Sequence, residues 1–460
     1  MRKPPLGLLL IALIVISLVA ATTMHLSGAQ SSGTNVSGTL TSDTTWTAAE
    51  SPYNFVGNVT VNSGVTLSIQ PGVTVDFNGY YLRVNGTLNA QGVSNNKIVF
   101  DIPLEFTAFD DSPIQFESSS TSWNPQTDSG SIIENAIINS KACIPAIFID
   151  SVSPKIELDT INSSGYYTDR YPCYGNSASM EIQGANSDPI IANNTIIGGI
   201  FAIGGLICNN TITIMSGAFG SALHLQGNTT VLGNKIYGSN VGINVDAYGA
   251  NETFLIQSNL VIDNGIGLFL SPQINSDFCY IIKNNTFSDN ALGISLNPDW
   301  EYPYFDSAPP AISGNIVIVY NNIFSNGGCN LETYYSSDSN VTFNWWGTTN
   351  ATAIGQAIYD SKYNSALGTV NYTPFLNSSN PMAPAYISSS ANPAPTSTPT
   401  TTSTTASTST TQPTATAATS PTASPLMPNA PEFPSMLLLA LFIVAITPAI
   451  VFILRKRGKA

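Results

Sequence analysis

The chain has 460 residues, of which 9% are charged and 43% hydrophobic, and its formal net charge is −14. Soluble domains usually carry about 25% charged residues, so solubility here must rest on Asn, Ser, Thr and attached sugar. Residues 31–430 hold 27 acidic and 8 basic side chains, a balance of −19, and such a surface repels phosphate backbones, which excludes nucleic acid as an expected partner.

At the amino end, Arg2 and Lys3 precede an apolar run from Leu6 to about Ala21, and small and polar residues follow through Gly28-Ala29-Gln30. That order predicts a secretory signal peptide over residues 1–30, with an uncleaved anchor helix as the alternative. Residues 31–54 read as a lead-in. From Val61 the pattern changes to strict alternation. Val65, Leu67 and Ile69 point one way, Pro71-Gly72 turns the chain, and Val73, Val75 and Phe77 alternate again. Gly79 makes the next turn, and Leu82, Val84 and Leu88 continue the series. A period of two predicts short strands with one buried face.

A repeat follows. The segments IIANNTI, LICNNTI, VLGNKI, IQSNLVI, IIKNNTF and VYNNIF align on Asn194, Asn210, Asn234, Asn259, Asn285 and Asn322, at intervals of 16, 24, 25, 26 and 37. Two residues after each Asn stands an apolar residue: Ile196, Ile212, Ile236, Val261, Phe287 and Phe324. Further on come the pairs Ile243/Val245, Leu268/Leu270, Ile294/Leu296 and Leu331/Thr333, three of them preceded by Gly242, Gly267 and Gly293. The same pattern is read at Asn135/Ile137, Asp159/Ile161 and Asn344. Two or three short strands per period, joined by Gly and Asn turns, predict a coil that returns to its starting edge. Asn suits such turns because it tolerates the left-handed conformation, and stacked Asn side chains can form a ladder. A leucine-rich repeat would show L-x-x-L-x-L, which is absent, and an antiparallel sandwich would show no repeat at this spacing. The solenoid is expected over residues 55–376, with Trp345, Trp346, Ile354, Ile358 and Phe375 covering its last coil.

Two coils carry aromatic insertions. Tyr166, Tyr167, Asp169, Arg170, Tyr171 and Tyr174 belong to the first, and Trp300, Tyr302 and Tyr304 to the second. Aromatic faces stack on sugar rings and carboxylates accept hydroxyl hydrogen bonds, so these are the candidate ligand-binding residues; the bland reading is that they buttress the outer wall. One insertion precedes the G-I-x-L strand and the other follows it, which places them on different edges. The cysteines are Cys143, Cys173, Cys208, Cys279 and Cys329. An odd number leaves at least one unpaired in an exported chain; Cys143 and Cys173 are the disulfide candidate, and Cys208 and Cys279 read as core fillers. Of thirteen N-x-S/T sites, Asn193, Asn209 and Asn284 precede the recurring Asn and should face outward as glycan acceptors. His224 lies between apolar neighbours in a strand run and should point outward. The motif search finds no nucleophile elbow, no zinc-ligand spacing and no calcium-loop spacing, so no metal and no cofactor are expected.

Residues 377–430 read as a Ser/Thr/Pro-rich stalk that cannot bury a core and stays extended. In residues 431–460, the apolar run Ser435 to Leu454 is long enough to span a bilayer. Arg455, Lys456 and Arg457 follow it and orient the ectodomain outward.

The stretch Val61 to Phe100 strongly resembles the opening coils of right-handed β-helix repeat proteins of the pectate-lyase-like superfamily. The stretch Asn344 to Leu376 resembles the closing segment of archaeal and bacterial surface β-helix proteins. Pro431-Glu432-Phe433-Pro434, ahead of an apolar helix and a basic tip, resembles the archaeal sorting tails named after that motif, in which a sortase-like membrane enzyme acts on the tail. These resemblances imply an all-β, single-stranded right-handed parallel β-helix between a signal peptide and a transmembrane helix. They do not imply a reaction. Family lyases use an Asp cluster with calcium and an Arg base, and family hydrolases use paired Asp; only Asp110-Asp111 matches here, and Arg83 and Arg170 are the only ectodomain arginines. The expectation is a membrane-anchored cell-surface protein, non-catalytic, with a structural, adhesive or carbohydrate-binding role toward extracellular polysaccharide. The alternative is a displayed polysaccharide lyase or glycoside hydrolase, which a cluster of acidic and basic side chains on one face would favour.

Overall fold

Alternating runs become strands because one side of each can be buried while the backbone pairs with the coils above and below. The computed structural model describes residues 33–103, 112–142, 144–163, 178–184, 187–214, 220–247, 251–272, 278–298, 309–312 and 314–386. Every pairing between its named strands is parallel. The strands stack into three faces, one strand per face per coil, and the protein is a parallel β-solenoid. The first face is a sheet of 11 strands running from Thr44–Trp46 to Asn315–Val319. The second and third faces share a sheet of 23 strands. At about 4.8 Å per coil the first face is roughly 48 Å long.

The stack begins earlier than the alternation suggested. Thr34–Leu40 pairs in parallel with Tyr53–Val61, so part of the lead-in is the first strand of the solenoid. The inward residues named from the sequence are buried: Leu67, Val75, Phe77, Leu82, Val84 and Leu88 are 0% exposed. Ile243, Leu268, Ile294 and Leu331 are in register on consecutive coils. The glycine before each pair has a steric cause. A Cβ at Gly242 would lie 2.7 Å from the Gly267 carbonyl oxygen, and one at Gly267 2.6 Å from that of Gly293.

The corner between the first and second faces carries the expected ladder. Asp159, Asn194, Asn210, Asn234, Asn259, Asn285, Asn321 and Asn344 follow one another, each backbone N–H donating to the side-chain Oδ1 of the next at 2.8–2.9 Å. Two frames read from the sequence are corrected. The rung in VYNNIF is Asn321, not Asn322, and the inward residue is Ile323, not Phe324. In the earlier coil the rung position is Ala136, with Ile138 inward, rather than Asn135 and Ile137. The reason is common to both: the residue before each rung adopts the left-handed conformation. Asn135 and Tyr320 fill that place, so an Asn in the sequence is not by itself the rung.

The last coil is covered as expected. Trp346, Ile354 and Ile358 are buried, Phe375 packs against the core, and the helix Ala351–Gln356 is capped by the Asn350 side chain. Trp345 is half-buried and bridges to Asn322. Beyond this cap the chain returns along the outside of the second face. The Asn380 N–H donates to Asn322 Oδ1 at 2.7 Å, Thr286 Oγ1 donates to the Pro384 carbonyl at 2.6 Å, and Tyr386 OH donates to Asp289 Oδ2 at 3.1 Å. Thr286 and Ser288 lie on the outer side of their strand yet are 0% exposed. Among the described residues no helix is long and apolar enough to cross a membrane; the run Ser435 to Leu454 and the signal region lie outside them.

Candidate functional site

The ligand-binding candidates Tyr166, Tyr167, Asp169, Arg170, Tyr171, Tyr174, Trp300, Tyr302 and Tyr304 lie outside the described residues, as do Cys143, Cys173 and Asp110-Asp111. The strands that flank the insertions are described. The first insertion joins Thr160–Ser163 on the second face to Ala178–Gln183 on the third. The second joins Leu292–Leu296 on the third face to Asn315–Val319 on the first. They therefore leave from different corners.

At the corner of the second insertion the described residues form an open groove of about 500 Å³, lined by Asn251, Glu252, Thr253, Phe278, Cys279, Gly314 and Asn315. A smaller hollow of about 190 Å³ shares Gly314 and Asn315 and continues to Ser337, Asp338 and Asn340. Phe278 is stacked on Tyr280 with centroids 4.6 Å apart. A Cβ at residue 314 would meet the Phe278 ring at 2.4 Å, so Gly314 is what admits that ring. Phe278 is 4% exposed and belongs to the core, so the groove presents mainly amides, a carboxylate and a hydroxyl, the groups that sugar hydroxyls engage.

The thiols differ from expectation. Cys208 and Cys279 are free thiols, half-exposed rather than core fillers, and Cys279 Sγ accepts from Asn315 Nδ2 at 3.8 Å. Strand alternation explains this, because Ile207 and Tyr280 take the inward positions beside them. Burial pushes the Cys329 thiol up to about 12, with Glu332 adding to the shift.

Titratable groups collect on the outer side of the third face. His224 Nε2 meets Asp246 Oδ2 at 2.7 Å, and the Phe201 ring stands edge-on to His224 at 5.1 Å. Further along, Glu332 Oε1 accepts from Ser295 Oγ at 2.7 Å. Burial raises the Glu332 carboxyl above its ordinary value, opposed by the hydrogen bonds from Ser295 and Tyr334. Register separates these groups: Asn244, beside His224, pairs with Phe269, then Ser295, then Glu332. Asp246 and Glu332 therefore stand three coils apart, roughly 14 Å at the spacing of paired strands. Paired glycosidase carboxylates need about 5–9.5 Å, so these two do not form such a pair. Arg83 is on an early coil, bonded to Gln115 at 2.9 Å and Glu117 at 3.0 Å. Among the described residues there is no group of three or more His, Cys, Asp or Glu side chains placed to hold a metal ion.

The three glycan candidates all have left-handed backbone. Asn193 and Asn209 are exposed, and the Asn193 Nδ2 donates to Glu157 Oε1 at 2.9 Å. Asn284 is half-buried, and its Oδ1 accepts from Asn380 Nδ2 at 3.0 Å. The sequence reading missed Glu332, the groove and the returning segment, for which no periodic signal exists. It also missed a second ladder, Ser239–Asn264–Asn290–Asn326, bonded at 3.0–3.1 Å between coils. That one was legible, because each member stands five residues after a rung of the first ladder.

Fold and surface together define a parallel β-solenoid with an amide-laddered interior and a polar groove at one corner. Comparisons of the chain with models of protein families, with curated proteins and with solved structures find no match.

Proposed function

We propose that the chain is a cell-surface module: a right-handed parallel β-helix anchored by the apolar run 435–454 and held off the membrane by the Ser/Thr/Pro-rich stalk. That stalk is shortened to residues 387–430, because Asn380, Pro384 and Tyr386 are bonded to the solenoid. Its role is to bind extracellular carbohydrate without transforming it. The right hand follows from the strong preference of parallel crossovers. The membrane and a sortase-like processing enzyme are the partners at the anchored end.

The observation that carries this reading is the corner groove. Its lining of Asn251, Glu252, Thr253 and Asn315, over the buried Phe278 ring, offers donors and acceptors to a polyhydroxylated chain, on a scaffold whose ladder holds the strands in register. The test is a glycan-array screen of residues 31–386 beside a polysaccharide depolymerisation assay. Binding that Asn315→Ala weakens without a change in melting temperature is the expected result. Release of reducing or unsaturated ends would instead assign a hydrolase or lyase. For the anchored topology, protease added to whole cells should remove residues 31–430 and spare the tail; protection of the ectodomain would reverse it.

A further inference from the structure

The corner between the first and second faces is a column of left-handed residues, one immediately before each rung of the first ladder. Four coils use residues that accept this backbone at little cost, Asn193, Asn209, Gly233 and Asn284, while Ser258 and the exposed aliphatic Leu158 also stand in the column. The last two use Tyr320 and Phe343, both at φ 58°. A bulky side chain there strains the backbone. Both rings also remain outside the core, 45% and 42% exposed. They stack on each other with centroids 5.8 Å apart and planes at 28°. Neither ring fills the solenoid interior.

The ladder fixes their neighbour. Asn285 N–H donates to Asn321 Oδ1 and Asn321 N–H to Asn344 Oδ1, so Asn284, Tyr320 and Phe343 occupy successive coils of one column. Asn284-Asn285-Thr286 is an N-x-T site. Its Oδ1 is held by Asn380 Nδ2 at 3.0 Å, and the same Asn380 amide donates to the Tyr320 carbonyl. The Asn284 side chain is thereby fixed beside Tyr320 by its oxygen, with its nitrogen bonded to no described residue.

We propose that Tyr320 and Phe343 are the seat of an N-linked glycan carried by Asn284, whose first sugar ring takes the next place in the aromatic column. The proposal rests on the exported reading above and on the expectation that outward N-x-S/T sites carry sugar, and it names one attachment site. In the transfer, Asn284 Nδ2 bonds to the anomeric carbon of a lipid-phosphate-linked sugar. The carbon–oxygen bond to phosphate breaks, the nitrogen loses one proton, and the lipid phosphate leaves. The modified amide keeps Oδ1 and one N–H, so the bond from Asn380 persists. Thr286 is fully buried and its hydroxyl is engaged with Pro384, so transfer precedes docking of the returning segment. The sugar C–H face then packs on the Tyr320 ring by dispersion and by attraction to the negative ring face.

The test uses the full chain from its own membranes. Mass spectrometry of glycopeptides reads occupancy at the thirteen sites, and thermal unfolding is compared between Tyr320→Ala, Asn284→Gln and the double variant. The expected result is an occupied Asn284, and a melting-temperature loss from Tyr320→Ala that falls to less than half in the Asn284→Gln background. Tyr320→Leu, which keeps apolar bulk without a ring, should reproduce that loss, and it serves where the alanine variant does not fold. A chain modified at Asn209 but bare at Asn284 overturns the inference and leaves the glycoprotein reading standing. A chain bare at every site overturns both. Equal losses in the two backgrounds make the rings structural and overturn the inference.

Discussion

The two ends of the solenoid fill the same geometry with different chemistry. In the amino-terminal coils an aromatic column occupies the interior: Trp46 on Tyr53 at 4.7 Å, Phe55 on Phe77 at 4.8 Å, and Phe77 on Phe100 at 6.2 Å. From Asp159 onward, buried amides take over the corner. The interior rung Asn259 shows how completely they are paired. Its Oδ1 accepts from Asn234 N–H at 2.8 Å and Asn234 Nδ2 at 3.0 Å. Its Nδ2 donates to the carbonyls of Val231 and Gln257 and to Asn285 Oδ1 at 2.9–3.0 Å. Aromatic burial is non-directional and tolerates adjustment. The ladder is directional, so a slip of one residue in any coil breaks several hydrogen bonds at once. The difference teaches that register is enforced by shape and hydrophobic fill at one end and by polar satisfaction at the other.

The sharpest way to break this comparison is Asn259→Leu. It orphans the Asn234 N–H and removes four further bonds, from Asn234 Nδ2 and to the Val231 carbonyl, the Gln257 carbonyl and Asn285 Oδ1. Asn285 Oδ1 still accepts the N–H of residue 259, and Asn234 Nδ2 still reaches the Ile207 carbonyl. At about 1–3 kcal/mol for the orphaned group and about 0.5–1.5 kcal/mol for each other bond, the expected loss is at least about 3 kcal/mol in urea unfolding. A loss below about 1 kcal/mol would mean the ladder is dispensable and water replaces it. In the aromatic column, Phe77→Ala should cost about 3–5 kcal/mol, but Phe77→Leu less than about 1.5 kcal/mol, because a volume-similar apolar residue can repack. If Phe77→Leu proved as damaging as Asn259→Leu, the two ends would not differ in tolerance.

Asp159 sharpens the boundary between the two regimes. It is 2% exposed, and its Oδ1 accepts the Ala136 N–H at 2.6 Å. Its Oδ2 occupies the place where every later rung has a donating Nδ2. Burial pushes the carboxyl well above the usual range, the Ala136 bond opposing. The native state therefore holds this proton more tightly than the unfolded chain does. The contribution is fully present below the unfolded carboxylate pKa and is lost as pH rises through the raised folded value. Asp159→Asn should remove that slope and raise the melting temperature at neutral pH, with little change near pH 3. A variant that lost stability at neutral pH would show the carboxylate to be charged and paired.

The smallest effect concerns the returning segment. The Tyr386 hydroxyl is pushed up to about 12 by burial and by its bond to the Asp289 carboxylate. Removing that bond in Tyr386→Phe should cost about 0.5–1.5 kcal/mol, read as faster proteolysis within residues 380–386. Unchanged cleavage would show that Asn380 and Pro384 hold the segment unaided.

Much of this architecture could be read in advance, and the misses have identifiable causes. Strand alternation and the Asn spacing located the inward residues of most coils. The frame slipped at Asn321 because Tyr320 fills a left-handed position where the neighbouring coil has Asn284, and the doubled Asn offers two alignments. Cys208 and Cys279 stand in apolar runs, but strand parity turns them outward because Ile207 and Tyr280 take the inward positions. The candidate site was less legible. Segment 251–253, Phe278 and Asn315 lie far apart in sequence and share no motif, so only stacking of their coils brings them to one corner.

The sequence by itself determined the strand parity, the approximate coil length and the identity of the buried column. These depend on periods of two and of roughly two dozen residues, and such periods are local properties of the chain. Tertiary structure alone decided which outward residues meet and which are covered. Adjacent ladder rungs are separated by as few as 16 and as many as 36 residues, so the partner of any outward side chain depends on the insertions between coils. Thr286 is sealed by Pro384, 98 residues away. No periodic pattern links those two positions, because their contact arises from a segment that returns along the finished solenoid.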